Sequence, residues 1–194
     1  MNLGIIGQAI GLFAVTNIDD ILVLALFFGQ GAGHRGATRN IAAGQYLGFA
    51  AILAVAAAAA FGATFLPGSA IPYLGLIPLA LGIKAAVQAW RNHGNQEERQ
   101  EFRPGGPRVL EVAGVTFANG GDNIGVYVPV FATAGAAGMS VYVVVFLILV
   151  AGWVAAGKYF ATRPVIAAAL GRWGHVLLPV VLIGIGLIIL AEGL

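Results

Sequence analysis

The sequence contains no cysteine among its 194 residues. This absence excludes disulfide bonds, thiolate metal ligands and thiol redox chemistry together. Charged residues are also scarce, at 9% of the chain, whereas a soluble domain carries about a quarter. Hydrophobic residues make up 59%. The chain therefore cannot cover itself with polar surface, and its composition predicts an integral membrane protein.

Six apolar stretches predict six transmembrane helices, because about 20 apolar residues span a bilayer as a helix. The first has no basic segment before it and is longer than the core of a signal peptide, so we expect a retained helix. The fold class predicted is thus all-α. The six predicted spans are residues 3–28, 41–65, 71–90, 109–131, 141–160 and 176–190.

The basic residues predict the orientation of these spans. All ten lysine and arginine residues fall in or beside the first, third and fifth loops, and the positive-inside rule makes those loops cytoplasmic. Both termini are then expected to be external. The ten are Arg35 and Arg39, then Lys84, Arg91, Arg99, Arg103 and Arg108, and finally Lys158, Arg163 and Arg172.

The only long polar stretch is residues 91–108, which contains the sequence PGGP. Its mixed charges and its glycines and prolines favour a flexible cytoplasmic linker. A metal site within it is the weaker interpretation, with His93, Glu97, Glu98 and Glu101 as the candidate ligands. The linker divides the chain into residues 1–90 and residues 109–194, with three predicted spans in each.

The first spans of the two parts share a motif. DDILV at 19–23 matches DNIGV at 122–126, which aligns Asp19 with Asp122 and Asp20 with Asn123. The first span is predicted to run inward and the fourth outward. The sequence therefore predicts two inverted three-helix repeats, an arrangement in which substrate sites lie near the middle of the membrane, at interrupted helices.

Aspartates inside predicted spans require compensation, since each costs about 2.5–3.5 kcal/mol at the centre of a helix. No lysine or arginine is expected at the same depth, because Lys84 and Lys158 lie near the cytoplasmic ends of their spans and can extend to the interface. The negative charge must then be met by protons or by a bound cation. A purely structural role, in which the acids tie helices together, is the alternative interpretation.

Oxygen-bearing side chains surround the acids. Thr16 precedes Asp20 by four residues and Asn17 precedes it by three, so these side chains share a helix face. Carboxylate and amide oxygens suit calcium, manganese, magnesium or cadmium, and two or three negative charges favour a divalent ion. The candidate metal ligands are Thr16, Asn17, Asp19, Asp20, Asn119, Asp122 and Asn123.

Two motifs resemble a known family. TNIDDILVL in the first span and FANGGDNIGVYVPVF in the fourth, with LIPLALGIKA at 76–85, resemble the motifs of the cadmium-resistance transporter family, within the lysine-exporter superfamily. The resemblance implies export of cadmium or a related divalent cation, with manganese and calcium as alternatives, across the cytoplasmic (inner) membrane of a bacterium. It also implies a site formed by the three aspartates and the amides of Asn17, Asn119 and Asn123.

The expected partners are the divalent cation, protons and the lipid bilayer. The chain has no Walker motif, so proton antiport is the simplest source of energy. We expect no resident cofactor, no enzymatic activity and no nucleic-acid partner, and the glycine-rich helix faces would permit a homodimer. An exporter of an organic cation or amino acid is the main alternative. An intramembrane enzyme is disfavoured, since no histidine, cysteine or nucleophilic serine is predicted near the acids.

Overall fold

The structure is a computed structural model. It describes residues 3–63, 65–67, 70, 73, 74, 76–91, 106–163, 180, 183–185 and 187–191. In these residues every long regular element is a helix, so the all-α prediction is confirmed for this part of the chain. The main helices are α1 (Leu3–Thr16), α2 (Asp20–Gln30), α3 (Ala37–Ala63), α4 (Leu76–Arg91), α5 (Val109–Asn119) and α6 (Gly121–Phe160).

Two of these helices, α3 and α6, are long and apolar enough to cross a membrane. A third crossing is added if α1 and α2, which are bent by 59° relative to each other, count as one span. By length and composition alone, the described residues thus supply two or three candidate spans. Helix α4 has 16 residues, fewer than the roughly 20 that a span requires. Residues 176–179, 181, 182 and 186 of the predicted span 176–190 lie outside the described residues.

The first and fourth predicted spans are not continuous helices. Helix α1 ends at Thr16 and α2 begins at Asp20, while α5 ends at Asn119 and α6 begins at Gly121. The predicted spans 3–28 and 109–131 are therefore interrupted helices, the arrangement expected at a substrate site between inverted repeats. Asparagine and aspartate side chains compete with backbone hydrogen bonding at the first break, and glycine is a weak helix former at the second. Each break lies at the start of one of the two aligned acidic motifs.

Helix α6 is a hairpin of two arms, residues 121–134 and residues 136–160. The backbone reverses at Gly135, whose φ of 67° and ψ of 177° favour glycine. The rings of Tyr127 and Phe146 are consequently 5.0 Å apart, although a straight helix would separate these residues by about 28 Å. The reversal falls between the predicted fourth and fifth spans, but Gly135 alone makes the turn and the residues on either side of it are helical. The second arm ends at Phe160, as predicted for the fifth span.

The hairpin fixes the direction of its neighbour α1. The Tyr142 hydroxyl lies 3.2 Å from Gln8 Oε1 near the start of both helices. The Trp153 indole Nε1 donates to the backbone oxygen of Asn17, at 2.6 Å, near the end of α1. Helix α1 is therefore parallel to the second arm of α6 and antiparallel to the first.

Helices α3 and α5 are parallel and very closely packed. Gly48 of α3 faces Ala113 and Thr116 of α5, and Ile52, one turn later, lies against Gly120. A side chain at Gly48 would meet the α5 backbone, so the glycine permits this approach. The close approach brings polar side chains of the two helices within reach of each other.

Aromatic side chains from α1, α3 and both arms of α6 form the main core. The Phe13 and Phe49 rings are 5.4 Å apart in an edge-to-face contact, a favoured geometry for aromatic pairs. This core holds the α6 hairpin against α1 and α3, next to the first helix break. Its buried aromatic members are Phe13, Phe49, Tyr127, Phe131, Tyr142 and Phe146.

We expect Gly48→Ala to destabilise the protein. An added Cβ would lie 2.6 Å from the Ala113 backbone oxygen and 2.8 Å from Thr116 Cβ, and overpacking of this kind costs about 1–3 kcal/mol. The melting temperature of the purified protein in detergent should fall. Gly62→Ala is the matched control in the same helix, where a Cβ meets nothing within 4 Å. Equal melting temperatures for the two variants would contradict the packing argument.

Candidate functional site

The acids of both motifs lie at the first turn of a helix. Asp19 is the N-cap of α2, and its Oδ1 accepts a hydrogen bond from the Asp20 backbone N–H at 3.1 Å. Asp122 is the second residue of α6 and follows the break at Gly120. Helix N-termini expose unpaired N–H groups and favour negative charge. The breaks thus place both carboxylates where the backbone stabilises them.

Asp20 is the centre of a polar group that we call the acid cluster, formed by Asp19, Asp20, Gln45, Thr116 and Asn119. Asp20 is only 3% exposed. Asn119 Nδ2 donates to Asp20 Oδ1 at 2.8 Å, and Gln45 Nε2 donates to Asp20 Oδ2 at 3.0 Å. Each oxygen of this buried carboxylate therefore accepts from an amide, one supplied by α5 and the other by α3.

Asn119 and Thr116 complete the acid cluster from α5. Asn119 Nδ2 also lies 3.2 Å from Asp19 Oδ2, so one amide bridges both acids of the first motif. The Thr116 hydroxyl donates to Gln45 Oε1 at 2.6 Å. The structure thus brings the acids of the first break together with the last residue before the second break.

A second group, which we call the amide network, links Thr16, Asn17, Asn123, Tyr127 and Trp153. Asn17 is fully buried; its Nδ2 lies 2.9 Å from the Tyr127 hydroxyl and its Oδ1 accepts from Asn123 Nδ2 at 3.2 Å. The Thr16 hydroxyl lies 2.9 Å from the Tyr127 hydroxyl. Three of the predicted ligands, Thr16, Asn17 and Asn123, therefore lie together here. Their side chains are hydrogen-bonded to other protein groups.

Trp153 satisfies the backbone at the first break. In a continuous helix the Asn17 carbonyl would accept from an N–H four residues later. The break removes that donor, and the Trp153 indole N–H takes its place at 2.6 Å. The indole ring also packs edge-on against Phe13, with centroids 5.0 Å apart. The unwound segment is therefore tied to the second arm of α6.

Asp122 lies apart from the acid cluster. Its side chain is exposed, and its negative charge repels that of Asp19. Within the described part of the chain, no group of three or more histidine, cysteine, aspartate or glutamate side chains is placed to hold a metal ion. The three aspartates thus do not form a compact trio, and the site combines carboxylates with amides. The linker candidate, His93 with Glu97, Glu98 and Glu101, lies outside the described residues.

Lys84 of α4 interacts with one acid of the second motif. Ile77 and Leu81 of α4 border Gly125, one turn after Asp122 in α6, and Lys84, one turn after Leu81, interacts electrostatically with Asp122. Packing of α4 against the first arm of α6 is the cause of this interaction. The absence of a lysine or arginine at the depth of the acids stays a prediction.

Four residues of the two groups were not predicted from the sequence: Gln45, Thr116, Tyr127 and Trp153. Gln45 has a signal of its own, since it is a polar residue within the apolar stretch 41–65, and polar residues in spans usually face other protein groups. Thr116 lies one turn before Asn119 on the same helix face. Tyr127 and Trp153 are indistinguishable in the sequence from other aromatic residues of the spans.

No curated protein and no solved structure was found to match the chain. The family model described as cadmium resistance transporter matches residues 13–193. The match includes both helix breaks and every residue of the acid cluster and the amide network. The chain therefore belongs to the cadmium resistance transporter family.

Proposed function

We propose that this protein exports a divalent heavy-metal cation from the cytoplasm, cadmium or a related ion, with manganese and calcium as alternative substrates. The observation that carries the proposal is the contact between Asn119 and both acids of the first motif, at 2.8 and 3.2 Å. Two broken apolar helices here bring carboxylates and an amide to one place. Charged residues inside membrane helices are costly and usually serve transport, and family membership supports this interpretation.

The proposed ligands form two tiers. Asp19, Asp20 and Asn119 are already in contact through Asn119 Nδ2, so Asn119 would turn its Oδ1 toward a cation, and Asp122 supplies charge from the second motif. Oxygen ligands of this type suit a hard or borderline divalent cation. In the second tier, the oxygens of the amide network have protein partners and would have to exchange them to reach a cation. That tier comprises Thr16, Asn17 and Asn123.

We expect Asp20→Asn to weaken binding of divalent cations by about tenfold or more, because changes close to a metal site commonly cost 10–100-fold in affinity. Isothermal titration of the detergent-purified protein with cadmium, manganese and calcium chlorides measures the change. Glu111→Gln is the matched control, an acid-to-amide change in the first turn of α5, away from the acid cluster. Wild-type affinity in Asp20→Asn would show that the site is misplaced.

We propose six spans arranged as two inverted repeats, with both termini external. Support comes from the two breaks at aligned motifs and from the α6 hairpin, whose arms would belong to the fourth and fifth spans. Asn40 Nδ2 donates to the Pro107 carbonyl at 3.2 Å, which joins the first loop to the end of the linker. Arg39 and Arg108 therefore lie at the same end of the bundle, as cytoplasmic loops require.

The orientation can be tested by cysteine labelling, because the native chain has no cysteine. Ala32→Cys lies in the first loop and Ser140→Cys lies near the Gly135 turn, and both positions are exposed. We expect a membrane-impermeant maleimide added to intact cells to label Ser140→Cys alone, and to label Ala32→Cys only after lysis. Labelling of both variants in intact cells would refute the proposed topology.

Export against the membrane potential requires an energy source. Moving two positive charges out across about 100 mV costs roughly 4.6 kcal/mol, at about 2.3 kcal/mol per charge. The sequence has no Walker motif for phosphate binding. We propose that ionised carboxylates bind the cation from the cytoplasm and that protons from outside displace it. The two helix breaks would let the halves move around the acid cluster.

We expect cadmium flux in proteoliposomes to follow an imposed pH gradient. Because protons and cation compete for the same carboxylates, flux should rise when protons are supplied on the side to which the cation is released. A metal-sensitive dye inside the vesicles measures the flux, and vesicles with Asp20→Asn are the control. Flux that is the same with and without the gradient would exclude proton antiport.

Export of an organic cation or an amino acid on the same fold is the second candidate. An organic cation requires a free aromatic face near the acids. Tyr127, the nearest aromatic residue of the α6 motif, is fully buried, and its ring stacks on Phe131 at 5.9 Å. No contact of the acid cluster favours this candidate, and the titrations above with metal salts distinguish it from metal export.

A further inference from the structure

We propose that Gln45 is a ligand of the transported cation, and that its side-chain amide rotates by half a turn when the cation binds. This inference rests on the proposed function and extends the site to helix α3, which no sequence motif implicated. In the structure Gln45 Nε2 donates to Asp20 Oδ2 at 3.0 Å, and Gln45 Oε1 accepts from the Thr116 hydroxyl at 2.6 Å.

The amide N–H group of Gln45 occupies the position that a cation needs. It points its partial positive charge at Asp20 Oδ2, so a cation that binds this oxygen must displace it. The three side chains are deeply buried, with Asp20 3%, Gln45 2% and Thr116 1% exposed. No described side-chain polar atom in the interior lacks a hydrogen bond, and a displaced amide left without partners would be unfavourable.

A half-turn of the amide resolves this conflict without moving the helices. Gln45 Oε1 then faces the cation as a neutral oxygen ligand, and Nε2 faces Thr116. The threonine hydroxyl accepts as well as donates, so it can bind the amide in either orientation. Gln45 and Thr116 thereby form a pair with two states. Without the cation, the Gln45 N–H group takes the place of the cation beside Asp20. With the cation bound, the Gln45 amide oxygen faces the cation instead.

The test exploits ligand softness. Gln45→Met has similar length, but replaces the amide with a thioether, which is a softer ligand that suits cadmium better than manganese or calcium. We expect titrations with the three chlorides to show manganese and calcium affinity lowered by about tenfold, and cadmium affinity within about threefold of wild type. Gln8→Met is the matched control, since Gln8 is exposed and contacts Tyr142, and should bind all three ions as wild type does.

The outcomes of these titrations distinguish failure of the Gln45 proposal from failure of the proposed function. An equal loss for all three ions would make Gln45 a positioning residue for Asp20 and overturn its role as ligand, and unchanged affinities would overturn it as well. In either case the cation site itself would stand. Absence of divalent binding by the wild-type protein would instead refute the proposed function, and with it this inference.

Thr116 provides an independent test that leaves Gln45 in place. Thr116→Ser keeps the hydroxyl and should retain wild-type affinities. Thr116→Val keeps the shape but neither donates nor accepts, so it should weaken binding of all three ions by about tenfold. Size-exclusion chromatography and the helical circular dichroism signal confirm that each variant is folded. Wild-type binding by Thr116→Val would show that the hydroxyl does not support the turned amide.

Discussion

The buried carboxylate of Asp20 imposes the constraint on which this structure depends. An acid in an apolar helix bundle must have both oxygens satisfied, and the partners come from helices distant in sequence, Asn119 of α5 and Gln45 of α3. These partners reach Asp20 only because Gly48 lets α3 and α5 approach closely, next to Thr116. The small-residue contact and the polar contact are therefore parts of one arrangement.

The two helix breaks have different supports. At the first break, Trp153 binds the freed Asn17 carbonyl, and the Asn17 side chain binds Tyr127 and Asn123. At the second, Gly120 alone separates α5 from α6. The first unwound segment is thus anchored to both arms of the α6 hairpin. At the second break the backbone has the conformational freedom of a glycine. Movement of the α6 arms would therefore be transmitted directly to the backbone beside Asp19.

The polar residues fall into two groups with distinct chemistry. The amide network joins neutral groups that satisfy one another, so it stabilises the break without charge. The acid cluster joins carboxylates to amide donors, whose N–H groups point at the carboxylate oxygens. Under the proposed function, the acid cluster must change its partners on binding, and the amide network changes partners only where its oxygens also reach the cation. The neighbouring Lys84, which interacts with Asp122, adds a positive charge at the edge of this region.

The sequence by itself determined that the protein belongs in a membrane, that its apolar stretches contain aspartates, and that DDILV matches DNIGV. Composition and motifs are properties of the chain alone, which is why no structure was needed for these conclusions. The resemblance to the cadmium-resistance family rested on the same residues. Only the tertiary structure decided that Gln45 and Thr116 complete the cluster, that Lys84 interacts with Asp122, and that Gly135 alone reverses α6. The physical reason is that a buried polar side chain is defined by its partners, and those depend on which helices pack together. Gly135 cannot be distinguished in the sequence from other glycines, since its role is a backbone angle.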